Sequence, residues 1–280
     1  MSDCSLTYEE GEFMHLDVNG TRLHVSEEGS GHAVLFLHGM GCDGTDWQPQ
    51  VDAFAARYRC ITIDHRGHGR SDREVGEGYS IAGFAADALG VLDHLGVDRA
   101  HVVGLSMGGM IAQQLAVTEP DRVCTLSLLD TFARPGAMGE GMGAMADQVE
   151  AGGLDALAAG FQAMVFAAAT IGSKPDLLER FDAQFRGNTP ACLAWDMRAI
   201  AALDVYDELG SITAPTVVLC GAEDNLTPMA QAEELAAAIP GATLEIVPDA
   251  GHFSNIENPD FVNQVLAKQL EQPCQHGGAA

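Results

Sequence analysis

Residues 101–110 read HVVGLSMGGM. The stretch begins as an apolar strand, His101 to Leu105, and continues from Met107 with apolar residues at helical spacing. Between them a single serine is set in Gly104-Leu105-Ser106-Met107-Gly108. A strand that reverses into a helix within one residue needs small neighbours, and here a glycine stands two places to either side. The reversal leaves the Ser106 hydroxyl standing at the carboxyl end of the strand, at the positive end of the following helix dipole.

Outward from this bend the chain alternates. Apolar runs at Ala33–Leu37, Cys60–Ile63, Cys124–Leu129, Thr216–Cys220 and Thr243–Val247 read as strands of a parallel sheet covered on both faces. Between them Trp47–Tyr58, Ile81–Leu95, Met107–Thr118, Met229–Ile239 and Pro259–Leu270 carry helical periodicity, the last opened by Asn258 as N-cap and Pro259 at the first turn. Before the first parallel strand, Phe13–Val18 and Arg22–Ser26 flank Asn19-Gly20, a hairpin signal. The fold class implied is α/β: a mostly parallel, doubly wound sheet with an N-terminal antiparallel hairpin. From about Phe132 to Glu208 only helical or Gly-rich text is found. We expect residues 132–208 to be a helical cap inserted into a core of 1–131 and 209–280, over the carboxyl edge of the sheet where open α/β folds bind ligands. The uncharged stretch Ala156–Gly172 is expected to be one buried helix.

Composition removes several function classes. Fourteen Lys and Arg against 40 Asp and Glu give a formal charge of −26, which excludes phosphate-neutralising contact with nucleic acid and argues against anionic membrane surfaces. The start, MSDCSLTYEEGEF, has no basic or apolar leader segment, so a cytoplasmic protein is expected. The seven cysteines are odd in number and lack C-x-x-C spacing, which implies neither a disulfide framework nor a zinc site. Cys124 and Cys220 read as small buried hydrophobes, and a reducing compartment is the default. There is no phosphate-binding or dinucleotide fingerprint, so no cofactor and no metal are expected.

A serine hydroxyl needs a base to act as a nucleophile. Of the ten histidines, His252 follows the strand Thr243–Val247 in the loop PDAGHFSN and can reach Ser106 across the sheet edge. Its acid partner is expected to be Asp224, just past Thr216–Cys220, with Asp130 as the alternative because it too ends a strand, and Glu223 third. Backbone N–H groups of Met107 and Met40 are the expected oxyanion donors, Met40 lying between Gly39 and Gly41 after the first parallel strand. His38 is read as structural, and His65 to Asp72 as a turn beside the site.

LFLHGMG (35–41), DHRGHGRSD (64–72), VVGLSMGGM (102–110), LCGAEDNLTP (219–228) and DAGHFSNIENP (249–259) together resemble, in order, the landmarks of the α/β-hydrolase superfamily. Within it the chain is most similar to 3-oxoadipate enol-lactonases and related esterases and lactonases. That resemblance implies Ser106 as nucleophile, Asp224 as acid, His252 as base, and Met40 and Met107 as oxyanion donors. It implies hydrolysis of a small ester or lactone through an acyl-enzyme; C–C bond hydrolysis, perhydrolysis and slow ligand sensing are the alternatives on the same residues. Trp47, Phe132, Met138, Met164 and Trp195 are expected to line an apolar pocket. A lactone with a free carboxylate would need a cation near the cap, where Arg134, Arg180, Arg186 and Arg198 are the arginines.

Overall fold

The computed structural model describes residues 12–76 and 78–274. Eight strands form one sheet in the order β1-β2-β4-β3-β5-β6-β7-β8. They are β1 (Glu12–Val18), β2 (Thr21–Gly29), β3 (His32–Leu37), β4 (Tyr58–Asp64), β5 (Ala100–Leu105), β6 (Val123–Leu129), β7 (Thr216–Gly221) and β8 (Thr243–Val247). β1 pairs antiparallel with β2, and β2 antiparallel with β4, while the remaining neighbours run parallel. Asn19 and Gly20 both have positive φ, 49° and 77°, as the tight β1–β2 turn requires.

Side-chain alternation decides the layering. Ala33, Leu35 and Leu37 of β3 enter one apolar cluster with Ala100 and Val102 of β5, while Val34 and Phe36 join Val103 and Leu105 in the other. Both faces are therefore buried, as the continuous apolar runs predict. Helices α2 (Ile81–His94), α3 (Met107–Thr118) and α9 (Met229–Ala238) pack into the first cluster. Helices α1 (Gln48–Phe54) and α11 (Pro259–Leu270) pack into the second, with α10 (Ser254–Glu257) leading into α11. Edge strand β8 departs from the pattern, since only Val247 is buried and Ile246 is 51% exposed.

Between β6 and β7 the described residues are helical: α4 (Ala137–Gln148), a π-turn at Val149–Gly153, α5 (Leu154–Val165), α6 (Ala168–Ser173), α7 (Pro175–Arg186), α8 (Pro190–Ala201) and a 3-10 turn at Tyr206–Ser211. Three expectations need correction. The segment Trp47–Tyr58 is not one helix: Gly44–Trp47 is a 3-10 turn capped by Asp43, α1 ends at Phe54, and Tyr58 already pairs with His32. The stretch Ala156–Gly172 is two helices broken at Phe166-Ala167, because the Val165 carbonyl is taken by the His252 N–H at 2.7 Å and the Ala167 N–H by the Glu257 carboxylate at 2.8 Å. Cys124 is not a free hydrophobe: it forms a disulfide with Cys274, 150 residues on, just beyond α11. The bond removes the cysteine argument for a reducing compartment. Cys42, Cys60, Cys192 and Cys220 are free and buried.

Candidate active site

Ser106 sits between β5 and α3 with φ 55° and ψ −118°, a strained conformation for a residue with a Cβ. Side chains at the flanking glycines would collide with backbone: a Cβ on Gly104 would overlap the Gly108 carbonyl, and one on Gly108 the Leu37 carbonyl. The bend is thus packed directly against the end of β3. Its N–H donates to Leu129 O at 2.9 Å, and its carbonyl accepts from Thr131 Oγ1 at 2.7 Å, so β6 holds the bend from the other side.

His252 Nε2 lies 2.9 Å from Ser106 Oγ, and His252 Nδ1 lies 3.0 Å from Asp224 Oδ2. All three residues are buried, Ser106 at 9%, Asp224 at 7% and His252 at 2% exposure. Asp224 is saturated: Oδ1 accepts the N–H groups of Leu226 and Thr227 at 2.8 and 2.9 Å, and Oδ2 accepts from Thr227 Oγ1 as well as facing the imidazole. Burial pushes the Asp224 pKa up, but the His252 charge and these donors outweigh it, and the net shift is downward. Burial likewise pushes the His252 pKa down, and the Asp224 charge and hydrogen bond outweigh that, leaving it above its ordinary value.

Asp130, the other strand-ending acid, does not meet His252 by hydrogen bond. It has φ 48°, is wholly buried, and accepts from Gly221 N–H at 2.8 Å through Oδ1 and from the Ser254 hydroxyl and N–H through Oδ2. It therefore braces the end of β7 to the segment just after His252. Burial, then the charge of Asp224, push its pKa up to about 8. Asp130, Cys220 and Asp224 place ligand atoms within 4.8 Å of one another. Both carboxylates already have protein donors, so a metal there would have to displace them.

The loop after β3 lies on the nucleophile: a Cβ on Gly39 would be 3.3 Å from Ser106 Cβ. Cys42 N–H donates to Gly39 O at 3.3 Å and Gly41 has φ 74°, a turn with Met40 at its first corner. His38 is structural as expected, its Nδ1 donating to Gly39 O at 2.8 Å and its Nε2 accepting from His65 N–H at 3.0 Å. Burial, then His68, hold its pKa down to about 4, which keeps both bonds in place at neutral pH. His68 Nε2 faces the Gly41 N–H at 3.1 Å and Asp196 Oδ2 of α8 at 3.0 Å. Met107 is fully buried at the first position of α3, where its N–H has no helical acceptor.

The expected pocket residues are dispersed. Trp47 has no exposed surface and packs on Phe36 at a ring separation of 5.2 Å. Phe132 is 3% exposed in the opposite cluster, and its carbonyl accepts from Gln113. Both are buried in the apolar clusters on the two faces of the sheet. Met164 and Trp195 are half-buried, in different clusters, Trp195 edge-on to Tyr79. The side chain of Met138 lies outside the described residues. Two residues absent from the sequence reading order the His252 loop. Glu257 accepts from Gly251 and Phe253 N–H through one oxygen, and Thr227 Oγ1 lies 3.2 Å from His252 Nδ1. The text ENP after HFSNI marks a helix start, which was the signal available for Glu257.

A family model described as the alpha/beta hydrolase fold matches residues 32–259. 3-Oxoadipate enol-lactonase 1 of Acinetobacter baylyi is 33% identical over 94% of this chain and 94% of its own length. RutD of Variovorax paradoxus, a candidate carbamate hydrolase, is 32% identical over 90% of this chain and 94% of its own. The crystal structure of an enol-lactonase from Burkholderia xenovorans superposes with a TM-score of 0.87 at 32% identity, covering 92% of this chain and 99% of that one. The elbow serine on a mostly parallel sheet thus has the setting that its neighbours in sequence led us to expect, and the chain belongs to the α/β-hydrolase family.

Proposed function

We propose that the protein is a serine hydrolase of uncharged carboxylic esters or lactones, working through an acyl-enzyme. The observation that carries the reading is the continuous chain from Ser106 Oγ through His252 to Asp224, at 2.9 and 3.0 Å. His252 Nε2 takes the Ser106 proton as Oγ attacks the carbonyl carbon. The resulting oxyanion sits at the N–H groups of Met107 and Met40, each worth about 2.7–4 kcal/mol of transition-state stabilisation. His252 then protonates the leaving alkoxide, which for a lactone remains tethered to the acyl group. Water, deprotonated by His252, releases the acid. Residues 132–208 act as the cap, closing on the site through Val165 and Ala167 at the His252 loop and through Asn188 at Gly41.

Charge supports the choice of an uncharged substrate. Arg134 pairs with Glu234, Arg186 with Asp155 and Asp182, Arg198 with Asp147 and Glu150, and Arg180 lies 3.7 Å from Asp46. Each cap arginine therefore already faces a carboxylate, and the net charge of −26 repels an anion. The test is kcat/KM for a neutral lactone, an open-chain ester of matched carbon number, a matched carbamate and a lactone bearing a free carboxylate. The neutral lactone or ester is expected to exceed the carboxylated lactone by at least tenfold. A preference for the carboxylated lactone would show that a cation serves it and would overturn the substrate reading.

The acid limb of the same assay follows from His252. As a base it must be neutral, and its pKa is held above 6.5, so kcat/KM rises with pH and reaches half its plateau above pH 6.5. A midpoint well below 6.5 would mean that Asp224 does not stabilise the imidazolium.

A further inference from the structure

The turn that carries Met40 is not held by the sheet core alone. The Gly41 carbonyl accepts from Asn188 Nδ2 at 2.8 Å. Asn188 stands in the connection between α7 and α8, is 7% exposed, and directs the same nitrogen toward the carbonyls of Gln184 and Phe185 at 3.1 Å each. The Phe185 ring fills the space beside Gly41, 2.7 Å from where a Cβ would stand. Gly41, with φ 74°, is the only one of the four turn residues in the left-handed region, so this contact bears on the residue that sets the turn.

We propose that Asn188 is a positioning residue for catalysis: from the helical insertion it fixes the Gly39–Cys42 turn, and through it the direction of the Met40 N–H. This rests on the reading that Met40 receives the oxyanion. The consequence is that docking of the α7–α8 corner governs the chemical step and not only substrate entry. A donor displaced by about 1 Å costs up to about 10²-fold in rate.

The experiment compares wild type with Asn188→Ala and Asn188→Asp, the second keeping shape and burial but offering no donor. Arg186→Ala, at an exposed position on the same corner, is the control. Steady-state hydrolysis of the best neutral ester is measured with the affinity for a trifluoromethyl ketone, which forms a tetrahedral adduct whose oxyanion uses the same donors. Expected are a kcat loss of about 10- to 100-fold in both Asn188 variants, KM within threefold, and ketone affinity falling in step with kcat. Arg186→Ala is expected to keep wild-type kcat. If kcat is unchanged in Asn188→Asp, or if KM alone moves, or if kcat falls while ketone affinity stays, the proposal is overturned. Should Asn188→Ala fail to fold, Asn188→Asp decides. Failure of the underlying reading has a different signature: wild-type turnover that survives Ser106→Ala.

Discussion

Ser106→Ala is expected to lower kcat for a simple ester by on the order of 10⁶-fold, since removing the nucleophile of a serine triad disables the unit as a whole. The folded state should be preserved. Alanine keeps the Cβ that the φ of 55° already accommodates, and among the described residues the hydroxyl's hydrogen-bond partner is His252. What survives is the contribution of the oxyanion donors and of binding, roughly 10³–10⁴ over water. Kinetics with rigorously purified variant, checked by a thermal melt against wild type, decide the matter. A variant that retained even one thousandth of wild-type kcat would place the attacking group elsewhere, on a water activated directly by His252.

Asp224→Asn is expected to cost about 10⁴-fold in kcat, against less than tenfold for Asp130→Asn. The difference follows from what each oxygen touches. Leu226 and Thr227 N–H groups require an acceptor at the Oδ1 position of residue 224. An asparagine must therefore keep its carbonyl there and turn its NH₂ toward His252 Nδ1. The imidazole then carries its proton on Nε2 and can no longer accept one from Ser106. Asp130 makes no hydrogen bond to the imidazole, and burial raises its pKa to about 8, so an amide there changes the charge of the site less than one at 224. Its carbonyl can still accept from Gly221 and its NH₂ can donate to the Ser254 hydroxyl, at the cost of the 3.2 Å bond from the Ser254 N–H. Equal losses at the two positions, or a larger one at Asp130, would reverse the assignment of the acid.

The elements with strong local signals are legible from residues alone. Met107–Thr118 and Pro259–Leu270 are found with the same ends, because each begins at a feature visible in the text, the elbow serine and the Asn-Pro start. The reach of His252 to Ser106 follows from its place after a strand end, though the sequence separation is 146 residues. What stayed hidden is whatever depends on distant partners. Two acids end adjacent strands, and although residue order favours Asp224 over Asp130, the contact with the imidazole is a matter of placement in space. The break at Phe166-Ala167 is imposed by His252 and Glu257 from the segment after β8, so helical propensity there is overruled. Asn188 carries no motif, and its contact with Gly41 spans 147 residues. Trp47 is expected from the sequence to line an apolar pocket, and in the structure it has no exposed surface. Its packing on Phe36 is a property of the sheet face and not of its own surroundings in sequence.

The link between Cys124 and Cys274 turns the chain from β6 to the end of α11 into a covalent ring. That ring contains all five helices of the insertion, the loop of Asp224 and the loop of His252. One hydrolysed peptide bond anywhere inside it opens the ring without dividing the molecule, so every part of the insertion stays tethered at both of its new ends. Two cuts, or one cut followed by reduction, are needed before any piece can diffuse away. The helices between β6 and β7 are thereby protected against a single proteolytic event, whereas among the described residues the hairpin and the strands before β6 lie outside the ring.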